Sequence, residues 1–242
     1  MKKLTLIAVA ATLISWGAHG QGLCAFNNSA SARVSVNSVI GGAGSAFTPA
    51  GAGSFYYALF YASSTVTTVE GSAGALIPIA GNNENTSWVW NDTNWHFAGN
   101  GQTYTDNGNT YLAQGYALST ATTGRLQSAQ GAGIDDAIGG LAAGATASFV
   151  IVGWSSTIGT TWSAVQSFLT SGSLVGNMYL GESPVSLFQT GDNASTPTNP
   201  IMAGSGAVPG FTVGLLNPIP EPSTMALAAL GGLSLLMFRR RK

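Results

Sequence analysis

A hydrolytic site would need histidine, serine and carboxylate side chains. Of the two histidines, His19 falls in an apolar N-terminal segment, which leaves His96 between Trp95 and Phe97. A serine activated by His96 and oriented by Asp92 or Asp106 would assemble in space rather than along the chain. No serine sits in a Gly-x-Ser-x-Gly elbow, and His96 reads better as a packed or surface residue. Asp135-Asp136 and the Asp92/Asp106 region are where two carboxyls could serve as acid and base. Adjacent aspartates also cap helices, and with Ala137-Ile138 following, capping is the preferred reading. One histidine and one cysteine, Cys24, are too few for a zinc or other transition-metal site. Asp106, Asn107 and Asn109 offer oxygens to calcium but lack the acidic spacing of an EF-hand, so a turn with Gly108 is expected instead. No catalytic residue, metal ligand or cofactor is assigned, and an enzyme is not expected.

Binding chemistry has a better candidate. Between residues 85 and 104 stand Trp88, Trp90, Trp95, His96, Phe97 and Tyr104 among Asn, Gly and Thr. Trp88-Val89-Trp90 reads as strand, which puts both tryptophans on one face. Flat aromatics flanked by amides stack on sugar rings, so Trp88, Trp90 and Trp95 are candidate glycan contacts with extracellular polysaccharide as partner. The competing reading is core packing, since tryptophan is highly buried on average. Core packing is preferred.

The charges are divided by position. Six of the eight basic residues lie in the first three or last four positions, and only Arg33 and Arg125 lie between residues 21 and 218. Against these two stand eight carboxylates, from Glu70 to Asp192, giving the body a net charge of −6. A lysine-free acidic body lacks the charge to neutralise phosphates, which excludes nucleic acid as a partner. A single cysteine forms no intramolecular disulfide, so the core alone must hold the domain.

The last stretch organises the chain. Pro220-Glu221-Pro222 is expected to be extended and exposed, because proline fixes its own φ and biases the residue before it away from helix. Ser223 to Phe238 is uncharged and rich in helix formers, and Arg239-Arg240-Arg241-Lys242 ends the chain. A helix over this run would be about 24 Å long, a little short of a ~30 Å hydrocarbon core. Snorkelling arginines can close the difference, and the basic block belongs on the cytoplasmic side. In composition, order and position the stretch resembles the PEP-CTERM sorting signal of Gram-negative bacteria. That resemblance implies recognition and processing by the membrane peptidase exosortase, with Pro220, Glu221, Pro222, Arg239, Arg240 and Arg241 as the signal residues. It also implies transient membrane anchoring by the C-terminal helix.

The N-terminus carries a second address. Lys2-Lys3, the apolar run Leu4–Ile14 and the small-x-small site Ala18-His19-Gly20 read as a secretory signal peptide cut before Gln21. Lipidation at Cys24 is disfavoured by the bulky Leu23 just before it. Three regions follow: a signal peptide at 1–20, an exported body at 21–218 and a sorting signal at 219–242. The protein is expected at the cell surface or in the extracellular matrix.

The body reads as strands and turns. Strands are predicted around Val34–Val39, Phe55–Tyr61, Thr65–Val69, Trp88–Trp90, Tyr111–Leu118, Ser148–Trp154 and Phe211–Leu215. In Thr161–Gly172 the apolar residues 162, 165, 168 and 169 have helical spacing, with Thr161 placed to cap and Gly172 to stop. This helix is expected across one end of the fold. Asp135–Leu141 is read as a further turn or two of helix, and Gly191–Gly206 as loop. The fold class is all-β, a β-sandwich of jelly-roll or Ig-like kind with one short helix, plus the signal helix and the C-terminal membrane helix. The body also loosely resembles β-sandwich ectodomains that carry this sorting signal, most in Leu141–Trp154. The expected role is structural or adhesive, with glycan binding through the tryptophan patch as the alternative and a secreted hydrolase as the less favoured one.

Overall fold

A computed structural model describes residues 21–37, 46–49, 51–71, 88–106, 108–171, 177–192 and 198–216. The signal segment, the sorting tail with Pro220, Glu221, Pro222 and Arg239–Arg241, and the residues Asn107 and Gly172 lie outside them. Among the described residues, no helix is long and apolar enough to cross a membrane.

In chain order the elements are β1 (Gln21–Asn28), β2 (Ser35–Val36), β3 (Ala46–Phe47), β4 (Phe55–Ser63), a 3-10 turn (Val89–Asn91), β5 (His96–Phe97), β6 (Thr103–Asp106), β7 (Asn109–Leu112), β8 (Tyr116–Ser119), β9 (Leu126–Ser128), β10 (Asp136–Ala142), β11 (Thr146–Ser155), α1 (Trp162–Ser171), β12 (Met178–Glu182), β13 (Ser186–Gln189), β14 (Pro200–Met202) and β15 (Thr212–Leu216). The described residues are mostly β with one short α-helix.

β4 and β11 form the spine of the larger sheet. They pair antiparallel without interruption from Phe55 opposite Ser155 to Ser63 opposite Ala147. Both are apolar at nearly every position, the pattern of strands buried on two faces. Phe55, Tyr57 and Leu59 of β4 join Phe149 and Ile151 of β11 in one core. Ala58, Phe60 and Ala62 join Val150, Val152 and Trp154 in a second core on the opposite face. Gly153 is what lets the sheet close around Tyr57, because a Cβ there would lie 2.9 Å from the Tyr57 ring and 3.0 Å from Val213. The full sheet runs β3-β2-β15-β12-β11-β4-β8-β9, with β13 beside β11 and β5 beside β4.

Each face of this sheet has its own cover. A three-stranded sheet, β10-β1-β14, lies over the first core and contributes Cys24, Phe26, Ile138, Ile201 and Met202. The second core is covered by α1 through Trp162, Val165, Phe168 and Leu169, together with Trp88, Val89 and Trp95. Two sheets therefore share a core, and the helix lies on the outer face of the larger sheet rather than across one end. Asn28 ties the sheets at one corner. Its side-chain amide donates to the carbonyls of Ala32 and Gly124 at 2.9 and 2.8 Å and accepts from the Leu126 amide at 3.0 Å.

Several local expectations are corrected. Trp88–Trp90 is not a strand but enters the 3-10 turn, because the Val89 amide donates to the Glu182 carboxylate at 3.3 Å and the Asp92 amide closes on the Val89 carbonyl. The segment expected as helix over Asp135–Leu141 is strand from Asp136 on, since β10 is drawn into register with β1, Cys24 opposite Asp136. Thr65–Val69 is turn and irregular chain after β4. The single strand predicted over Tyr111–Leu118 is divided into β7 and β8 at Gly115, whose φ of +66° turns the chain. Within Gly191–Gly206, Pro200–Met202 pairs with β1.

Candidate functional site

The tryptophan patch is interior. Trp88 is 2% exposed and Trp95 6%, while Trp90 is half-buried. The Trp95 indole donates to the Thr68 carbonyl at 3.3 Å, and the buried indole nitrogen of Trp90 has no hydrogen-bond partner among the described residues. Around them the outer core is knit by aromatic contacts, Phe60 to Trp162 at 4.7 Å, Phe97 to Tyr116 at 4.9 Å and Trp154 to Trp162 at 6.2 Å. Trp88 and Trp95 are thus too buried to form an open stacking platform of the kind suggested for glycan contact. The strand face that Trp88 and Trp90 were expected to share does not form.

His96 and the carboxylates are not brought together. His96 is exposed on β5, its ring 5.6 Å from that of Tyr61. Asp92 is buried and turned to its own loop, accepting the Glu70 amide at 2.7 Å and the Asn94 amide at 3.0 Å. Among the described residues no hydrogen bond joins His96 to Asp92. No group of histidine, cysteine and carboxylate residues there is arranged to hold a metal ion.

Two further carboxyls are buried. Asp136 does not cap a helix; it sits in β10, 1% exposed, and burial pushes its pKa up to about 7. Hydrogen bonds from Ser128 and Gln130 oppose that rise, and neighbouring Asp135 adds to it. Glu182, at the end of β12, is pushed up to about 8, first by burial and then by nearby Asp92, against the stabilising Val89 amide. Cys24, opposite Asp136, is fully enclosed, and desolvation with the two aspartates drives its thiol pKa well above the ordinary value. A thiol so placed stays neutral and unreactive. These groups lie within the packing rather than in a cleft open to substrate.

The described surface does hold one concavity that the sequence had not suggested. A cleft of about 750 Å³, open to solvent, lies between the β8–β9 turn, β9, the loop before β10 and the C-terminal end of β1. Asn27, Thr120, Thr122, Arg125, Gln127 and Ile134 are among the residues that line it. Its one sequence clue is Arg125, one of only two cations between residues 21 and 218.

Comparison with known proteins identifies the tail. The family model of the PEP-CTERM protein-sorting motif matches residues 218–242. No curated protein and no solved structure matches the chain. The chain therefore carries a PEP-CTERM sorting motif, which implies exosortase processing and export to the cell envelope or surface.

Proposed function

We propose that the body, residues 21–218, is a non-catalytic β-sandwich ectodomain with a structural or adhesive role at the cell surface or in the extracellular matrix. The sorting motif at 218–242 is the observation that carries this reading. Export is further supported by the signal-like N-terminus, Lys2-Lys3 followed by the apolar run Leu4–Ile14. The sandwich reading is supported by the core that β10-β1-β14 shares with the larger sheet. A non-catalytic role is supported by Asp92 being taken up by the Glu70 and Asn94 amides and by the packing duties of the buried carboxyls. The tail anchors the chain in the membrane until exosortase acts.

Intact-mass analysis of the protein recovered from a host with a working exosortase tests the proposal. The mature chain is expected to begin near Gln21 and to lack Met225–Lys242. In the same host without exosortase the tail should remain. Full-length protein ending at Lys242 in the first host would overturn the reading.

A further inference from the structure

The cleft beside Arg125 carries polar groups that the fold does not use. Two amides close by are committed to the fold: Asn28 makes three hydrogen bonds, and Gln130 donates to the Leu112 carbonyl and to Asp136. Asn27 and Gln127, each half-buried on the neighbouring strands β1 and β9, form no side-chain hydrogen bond among the described residues. Both residues line the cleft and are less buried than their neighbours Asn28, Leu126 and Ser128. Arg125 likewise makes no ion pair among the described residues.

The frame behind these groups is fixed. Ser119 and Leu126 face each other across β8 and β9. The connecting turn is closed by the Thr120 amide on the Arg125 carbonyl at 3.0 Å and the Arg125 amide on the Thr122 carbonyl at 3.1 Å. Its back rests against Arg33 and Phe47, whose Cβ atoms leave Gly124 room only for a hydrogen, at a φ of +70°. A site whose donors are already held in place loses little freedom on binding. The volume is also within the range of sites for small ligands, about 300–1,000 Å³.

The chemistry narrows the ligand. Each amide offers a donor and an acceptor, as does each threonine hydroxyl, and this matches the dual character of sugar hydroxyls. Ile134, 46% exposed, supplies an apolar surface for the C–H face of a ring. Arg125 adds a planar fork suited to a carboxylate held by two parallel hydrogen bonds. A single cation in a body of net charge −6 is insufficient for nucleic acid or a polyphosphate. We propose that this cleft binds a carboxylated saccharide, with Arg125 on the carboxylate and Asn27 and Gln127 on neighbouring hydroxyls. This deepens the surface or matrix role and rests on it only for where the ligand is met. The cleft itself lies apart from the sorting tail.

Binding is measured on the purified full chain in a polyoxyethylene detergent, so that failed sorting and failed binding are told apart. Calorimetry compares trigalacturonic acid, its methyl ester and triglutamate. The acid is expected to bind about tenfold more tightly than the ester, as loss of a partly exposed charged hydrogen-bonded pair implies. Arg125→Gln should level acid and ester. Ala132→Trp, on the exposed loop lining the cleft, should block both while leaving melting unchanged, which guards against a misfolded Arg125 variant. Equal affinity for acid and ester, no binding, a preference for triglutamate, or binding indifferent to Ala132→Trp would each overturn the assignment.

Discussion

Asp136 and Glu182 sit where charge is costly, and that has a measurable consequence. Their folded pKa values, pushed up to about 7 and about 8, lie above the ordinary values of 3.8 and 4.5. The folded chain therefore holds more protons than the unfolded chain between roughly pH 4 and pH 8. The stability these groups contribute is full below their unfolded pKa values and is lost as pH rises through the folded ones. Each can remove at most about 1.4 kcal/mol per pH unit. The melting temperature is expected to decline from pH 5 to pH 8.5. Asp136→Asn and Glu182→Gln should each flatten part of that decline, and Glu182→Gln should melt higher than the parent at pH 8.5, because an amide oxygen still accepts the Val89 amide. A melting temperature that climbs over the same range would contradict the burial of both groups.

At the scale of elements, the outer layer decides what the tryptophans do. Trp88 and Trp95 fill space between the larger sheet and the segment that covers it, alongside Trp162 and Phe168 of α1. Truncating either to Ala is expected to cost about 3–5 kcal/mol, a large part of a typical stability of about 5–15 kcal/mol. Trp90→Ala should cost less, because Trp90 is only half-buried and its indole nitrogen is already without a partner. Urea denaturation of the three variants checks the order. A Trp88→Ala protein with parental stability and lost glycan binding would restore the stacking platform. The same layer shows what could be read in advance. The spacing of Trp162, Val165, Phe168 and Leu169 gave α1 directly, and Thr161 caps it as expected, its hydroxyl accepting the Ala164 amide at 3.3 Å. β4 and β11 were legible for a similar reason, being apolar on both faces. Trp88-Val89-Trp90 was not, because alternation looks the same before a turn. What bends it is a carboxylate 93 residues away. Asp135-Asp136 likewise has the local look of a cap, and only pairing with β1 makes it strand. The cleft had no local signature at all, since its lining is assembled from Asn27, Ala52 and the stretch from Thr120 to Ile134.

At the scale of the whole molecule, charge separates the body from its two addresses. Lys2-Lys3 and Arg239–Lys242 bracket a body with two cations and eight carboxylates. Positive ends favour the cytoplasmic side, and the matched sorting motif places the tail in exosortase's path. The apolar run Ser223–Phe238 would span about 24 Å as helix, which leaves little margin against a ~30 Å core. In the proposed topology the basic block would hold the end of the tail, since each arginine costs roughly 2.5–3.5 kcal/mol to bring to mid-membrane. Replacing Arg239, Arg240 and Arg241 with Ser leaves Lys242 as the one remaining anchor. The tail is then expected to slip through, and the protein to appear in the medium with residues 225–242 still attached. Mass analysis of cell-associated and medium fractions distinguishes this from a folding defect, because the body lies outside the substituted residues and should melt as before. Unchanged sorting and normal tail removal in the triple variant would mean that the apolar run alone holds the chain, and the charge argument for its topology would fail.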